Sequence, residues 1–296
     1  MAAAPPRRPR GERMDWPDGA KLALSIVVNV EEGSEMSIAR GDKGPEPVDE
    51  LGISLKAPIR NHGNESNYLY GLKAGAPRVV DLLDRFGVAA SWTVAAMSLE
   101  EHPDIAAAIR ELGHEPVSHG WRWVHQFRMD EAQERAFIAR ATQSIEQSCG
   151  VRPYGWLSRY LLTDNTRRLL VEAGYEYHMD DYSGDVPFID ADTVPGRAIT
   201  IMPYQLDTND MKMWTDPAYS PRAWADYAID TFDWLYREGE AGAPRMMSLG
   251  LHLRIIGRPG RIGALERVLA HVTARPGVWI ATRRAIAAHA RAQLGA

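Results

Sequence analysis

Leu22 to Val30 reads Leu-Ala-Leu-Ser-Ile-Val-Val-Asn-Val, a nearly continuous apolar run that ends abruptly in Glu31-Glu32-Gly33. A strand that is apolar at both odd and even positions has no face to give to water, so it must be covered on both sides. That demand is met by a mostly parallel sheet wrapped in helices. It excludes an open antiparallel sheet with one wet face.

The rest of the chain repeats this logic. Gly113–Val117, Ala89–Val94, Tyr175–Met179, Met246–His252 and Val278–Ala281 read as further short strands. Between them, Pro77–Phe86 and His102–Leu112 have helical apolar spacing. Asp130 is placed to cap a helix that Gly150 stops after Cys149, and Thr163–Ala173 follows as a helix before Gly174. Ser220-Pro221 opens a helix reaching about Arg237, Gly260–Ala274 is helical, and Thr282 caps the last helix. Gly33 to Gly75 has little periodicity and many turn residues, as functional excursions in compact domains do.

These units, with no Gly/Ser linker between them, predict a single distorted or incomplete (β/α) barrel over residues 15–296, after a disordered leader at 1–14. A doubly wound sheet is the alternative, but no Gly-x-Gly-x-x-Gly turn follows the first strand.

Composition narrows the function. A formal net charge of -5 with no basic, aromatic-interleaved run argues against nucleic acid as a partner. No apolar stretch approaches the roughly 20 residues that span a bilayer. The one cysteine, Cys149, permits no intrachain disulfide, and with no secretory signal the expected location is cytoplasmic.

In a barrel of this kind reactive groups collect on the loops after the strands. Three strand ends carry chemistry: Asn29-Val30-Glu31-Glu32-Gly33, Ser118-His119-Gly120-Trp121-Arg122-Trp123, and Gly250-Leu251-His252. Two neighbouring carboxylates push their pKa values apart, and histidine is the commonest proton carrier at neutral pH. A second histidine four residues after His119 would grip a metal ion with it, but that position holds Trp123, whose indole has no lone pair to donate.

In this order the motifs resemble the polysaccharide deacetylase family, the NodB-homology fold. Its Thr-Phe-Asp-Asp-Gly is matched by Asn29–Gly33 with both Asp replaced by Glu, and its His-Ser/Thr-x-x-His keeps only His119. Val151 stands at the Arg of Arg-x-Pro-Tyr, so the usual partner of the catalytic base is missing there. Gly250 stands at the Leu of Leu-x-His. The chain resembles most the allantoinase and cyclic imide hydrolase branch, through Asn64–Gly71, Ser118–Trp123, Arg152–Trp156, Asp207–Asp210 and Gly250–His252.

The resemblance implies a hydrolase that opens the C–N bond of a cyclic amide of the allantoin, hydantoin or imide type. Catalysis would fall on Glu31, Glu32 and His252, and substrate binding on His119, Trp121, Trp123, Arg159, Glu65 and Asn209. No cofactor is expected; the alternative is zinc or another divalent metal on Glu32 and His119. His125, six residues after His119, is expected to be structural. A small-molecule substrate and a homo-oligomer are the expected partners. Competing readings are a metal-dependent N-deacetylase of amino sugars or peptidoglycan, and a binding protein without turnover.

Overall fold

The computed structural model describes residues 13–50, 52–53, 57–215 and 217–295. Most of the expected leader lies outside these residues. Met14, however, is only 2% exposed and packs with Trp16 against the core, so the ordered chain begins before residue 15.

The apolar run forms β1 (Leu22–Val30), buried at every position. After the excursion come α1 (His62–Tyr70) and α2 (Ala76–Arg85), joined by a π-helical turn at Gly71–Gly75. Helical structure therefore starts some fifteen residues earlier than the Pro77 start that periodicity suggests. Its first part, His-Gly-Asn-Glu-Ser-Asn-Tyr-Leu-Tyr, has almost no amphipathic pattern and is set up by Asn61, whose side chain accepts from the Asn64 N–H. Next follow β2 (Ser91–Val94), α3 (Ala96–Glu101), α4 (Pro103–Glu111) and β3 (Glu115–Ser118). The cap predicted at Asp130 is formed, as one half of a capping box that Gln133 completes, and opens α5 (Glu131–Cys149), which Gly150 ends in a left-handed conformation.

The second half contains β4 (Gly155–Trp156), α6 (Thr166–Glu172), β5 (Tyr177–His178), β6 (Phe188–Val194) and β7 (Arg197–Ile201). It continues through α7 (Pro221–Glu240), β8 (Arg245–His252), α8 (Leu253–Ile256), α9 (Pro259–Thr273), β9 (Val278–Ile280) and α10 (Arg283–Leu294).

The strands form one curled sheet in the order β6-β7-β5-β4-β3-β2-β1-β8, with β9 pairing the first residues of β1. Every pair is parallel except β6–β7. No pairing joins β8 to β6 among the described residues, so this is an unclosed barrel, in agreement with the sequence reading. The antiparallel β6–β7 hairpin stands outside the alternating strand–helix pattern, and only Ile199 and Ile201, with Phe188 and Val194 beside them, join the core.

Register decides which residues meet. Asn29 on β1 lies opposite both Thr93 on β2 and His252 on β8, which brings the three strand ends to the same rim. Among the described residues no helix is long and apolar enough to cross a membrane.

Candidate active site

At the carboxyl rim of the sheet, the charged groups are buried together. Burial alone would neutralise Glu31, but the charges of His252 and Arg254 outweigh it and hold its carboxyl well below the usual range. One Glu31 oxygen accepts from Arg254 Nη1 at 2.8 Å. The other lies 3.2 Å from His252 Nε2 and 3.6 Å from His119 Nε2.

His252 is gripped from its far side by Asp210. Asp210 Oδ1 is 2.7 Å from His252 Nδ1, and Asp210 Oδ2 accepts from the His252 backbone N–H at 2.7 Å. Burial opposes protonation of the ring, yet the two carboxylates prevail and push its pKa up to about 10. His252 is therefore an imidazolium at neutral pH, sandwiched between Asp210 and Glu31.

Arg254 is the internal cation of the cluster. Beyond Glu31 it reaches Glu50 through Nε at 2.8 Å and Glu32 through its backbone N–H at 2.9 Å. Sequence reasoning found no partner for the catalytic base, because Val151 replaces the arginine of that motif. Arg254, two residues beyond His252 on another element, supplies the guanidinium instead. The excursion answers it: Glu50 meets Arg254, and Glu46 meets Arg159 in a two-pronged pair at 2.5 and 3.0 Å.

His119 is held by a hydrogen bond at each ring nitrogen. Its Nδ1 lies 2.6 Å from the Leu157 carbonyl, which only accepts, so that nitrogen carries the proton. Its Nε2 accepts from the Trp123 indole N–H at 3.1 Å. The residue in place of the second metal-binding histidine thus occupies the lone pair that a metal would use. Glu32, the other expected ligand, accepts from the backbone N–H groups of Glu31 and Arg254 and lies 3.4 Å from the Arg254 guanidinium. A divalent cation there would meet a fixed positive charge, and no third donor converges on the pair. These residues do not fit a metal ion. Among the described residues no cluster of three His, Cys, Asp or Glu side chains is arranged to hold one.

A cavity of about 30 Å³ opens over His252 and His119 and is lined also by Trp123, Arg159, Asn209 and Tyr160. Several expected residues are thus brought together, with amended roles. The Trp123 indole is covered by the Arg159 guanidinium at 3.6 Å, so that face is not free to stack on a ring. Arg159 spends its two terminal nitrogens on Glu46 and the Trp123 carbonyl, and only its buried Nε lacks a partner. Asn209 caps the short turn at Asp210–Met213 and donates to Tyr204 at 3.0 Å.

Two expected binding residues lie elsewhere. Trp121 donates to Glu100 and stacks under Arg140 at 3.2 Å, because the chain turns at Gly120 and sends alternate side chains outward. Glu65 pairs with Arg60 and Ser37 beside a separate cavity. Glu32 points away from the cavity, into the turn that holds Arg254. His125 donates through Nδ1 to the Arg159 carbonyl at 2.9 Å.

Gly250 explains its own departure from the leucine of the motif. A Cβ there would come within 2.2 Å of the Tyr204 hydroxyl and 2.5 Å of Asn209 Nδ2. Losing the side chain lets this pair form one wall of the cavity.

Comparison with known proteins agrees with this architecture. The polysaccharide deacetylase family model matches residues 67–178. A Schizosaccharomyces pombe protein assigned by name to the polysaccharide deacetylases is 34% identical over 291 residues, spanning 92% of this chain and 91% of its own. The crystal structure of PuuE allantoinase is 37% identical, with a TM-score of 0.91 over 98% of both chains. A structure from Pseudomonas aeruginosa PAO1, described as a probable polysaccharide deacetylase, is 38% identical with a TM-score of 0.89 over 94% of this chain and 93% of the other. With this identity over nearly its whole length, the chain belongs to the polysaccharide deacetylase family and is a hydrolase of that family.

Proposed function

We propose that the protein hydrolyses the C–N bond of a cyclic amide without a metal ion. The observation that carries this reading is the Trp123–His119 hydrogen bond, which takes the nitrogen that metal-dependent deacetylation needs. The similarity to PuuE allantoinase supports the substrate type.

The proton traffic follows from the two shifted groups. Glu31, ionised between Arg254 and His252, takes a proton from the attacking water as oxygen bonds to the ring carbonyl carbon. The unpartnered Arg159 Nε–H donates to the oxygen that becomes negative; one such donor contributes roughly 3–4 kcal/mol in comparable sites. The His252 imidazolium then gives its Nε2 proton to the departing ring nitrogen, the C–N bond breaks, and the carboxyl and amide ends separate. Asp210 keeps His252 charged and oriented throughout.

A carboxylate held so far below its usual pKa is a weak base. An imide or ureide carbonyl is activated by its second acyl group and asks less of that base than an acetamido sugar does.

Turnover of a panel of hydantoins, imides and allantoin, with acetate release from chitin fragments in parallel, tests the proposal. Ring opening without acetate release is expected. Acetate release alone would favour the N-deacetylase that the names of two relatives suggest, and binding without turnover a silent pocket.

A further inference from the structure

We propose that Thr208 is a positioning residue for the His252 proton donor, setting where along β8 the Asp210 carboxylate meets its ring. The inference rests on His252 being the acid of the proposed reaction and extends that role to the open seam of the barrel.

β8 pairs with β1 on one edge and ends the sheet on the other. Alternate residues of a strand turn their N–H and C=O to the same edge, so 246, 248, 250 and 252 face the seam. Buried backbone groups there must find partners. The Met246 N–H finds the Asp185 carbonyl at 2.7 Å. Further along, the partners are side chains. Gln205 Oε1 accepts from the Ser248 N–H at 2.7 Å, and the Gln205 N–H donates to the Ser248 hydroxyl at 2.9 Å. The Thr208 hydroxyl donates to the Ser248 carbonyl at 2.6 Å, and Asp210 Oδ2 accepts from the His252 N–H at 2.7 Å. Among the described residues no backbone–backbone bond joins residues 203–210 to β8. Residues 205–210 thus stand in for a missing strand, zipped to the edge through side chains. They lie so close that a Cβ at Gly250 would meet the Tyr204 hydroxyl and Asn209 Nδ2.

The last of these rungs also serves the chemistry. Both Asp210 oxygens are spent on His252, one on its ring and one on its backbone. The carboxylate therefore takes its place from the backbone that carries it, and that backbone is fixed two residues earlier. Thr208 is fully buried, its hydroxyl on β8 and its carbonyl accepting from Trp224 Nε1 of α7 at 3.2 Å. Asn209 follows, its side chain capping the turn at Asp210–Met213. Where a backbone ladder fixes the register of a paired strand, here the Thr208 hydroxyl and the Gln205 amide do so.

Glu31 faces His252 Nε2 from the end of β1, and Asp210 faces Nδ1. His119 lies across Glu31, the Tyr160 and Tyr204 phenols line the same cavity, and Arg254 is engaged with Glu31 and Glu50. Of the two carboxylates on the ring, Asp210 is the one whose placement the seam controls.

The test sets Thr208→Val against Thr208→Ser. It reads the NMR titration of the His252 ring, assigned by its absence in His252→Gln, together with kcat and KM on cyclic amides. Valine keeps the shape and leaves the Ser248 carbonyl without its donor, whereas serine keeps the hydroxyl. The wild-type ring should titrate at about 10, and Thr208→Val should lower that midpoint by about one pH unit or more. Its kcat should fall about tenfold or more with KM little changed, and Thr208→Ser should restore both readings. A purely structural role would lower the melting temperature of Thr208→Val and leave the His252 titration in place, which would overturn the assignment. If Thr208→Val does not fold, Gln205→Met removes the other rung and carries the test with the same readings. Turnover of no cyclic amide by the wild type would sink the proposed function instead. The titration needs no substrate and then decides the positioning claim by itself.

Discussion

At the scale of single residues, the decisive exchange is His to Trp at position 123. An imidazole there would leave His119 Nε2 free; the indole donates to it. Trp123→His should recreate a histidine pair four residues apart and raise zinc affinity at least tenfold over wild type by titration; equal affinities would contradict the account. His252 is the second residue on which the account depends. Its folded pKa of about 10 lies above the unfolded value near 6.5, so its ion pairs stabilise the fold fully below about pH 6.5 and are lost as pH rises through about 10. As the proton donor it should hold kcat/KM flat through neutrality with a basic limb near pH 10. Asp210→Asn should lower both that limb and kcat, the latter by about a hundredfold or more, while a structural role alone would leave the limb in place. Sequence reading found Glu31, His119 and His252 because each ends a strand. It missed Arg254 and Asp210, since nothing in a one-dimensional pattern says that an arginine past one strand end replaces an arginine missing near another.

At the scale of elements, the turn Glu31–Glu35 and the excursion behind it hold the site closed. Ser34 donates to the Glu31 carbonyl through both N–H and hydroxyl, and Glu35 accepts from the Gly33 N–H at 2.6 Å. Burial pushes the Glu35 carboxyl up to about 7. Its folded state therefore keeps a proton that the unfolded chain gives up near 4.3, and stability falls as pH rises between those values. Glu35→Gln, which keeps the acceptor and removes the charge, should raise the melting temperature at pH 8, by at most about 3 kcal/mol in stability, and change little at pH 5. A variant less stable than wild type at both pH values would refute that sign. Removing a cation that binds the turn acts the other way: Arg254→Met takes the guanidinium from Glu31, Glu32 and Glu50, leaving His252 as the cation beside Glu31, and should cost about 3–5 kcal/mol by denaturant unfolding. The helices here were legible where caps and apolar spacing agreed, as in α5. The helix His62–Tyr70 was not, because its stability comes from Asn61 and from contacts that Glu46, Val48 and Glu50 make with its polar face.

At the scale of the whole molecule, the parallel sheet does for this chemistry what no local motif does. Residues 31, 119 and 252 meet because β1, β3 and β8 run in the same direction and end at one rim, and Asp210 joins them from the turn after β7. The barrel and its incompleteness were legible from the both-faces-apolar β1 and from the spacing of the units. The β6–β7 hairpin was not, since only the last three residues of β7 are buried and β6 is open along its length. The family's fold is kept while the ligand set is rebuilt: an indole on His119, a guanidinium between the carboxylates, and a glycine that admits Tyr204 and Asn209. The most direct test of that claim is the rate of cyclic-amide hydrolysis before and after exhaustive dialysis against a chelator, with metal content measured on the same samples. The account predicts an unchanged rate at far below one metal ion per chain. Stoichiometric metal, with activity lost on its removal and restored on its return, would contradict it.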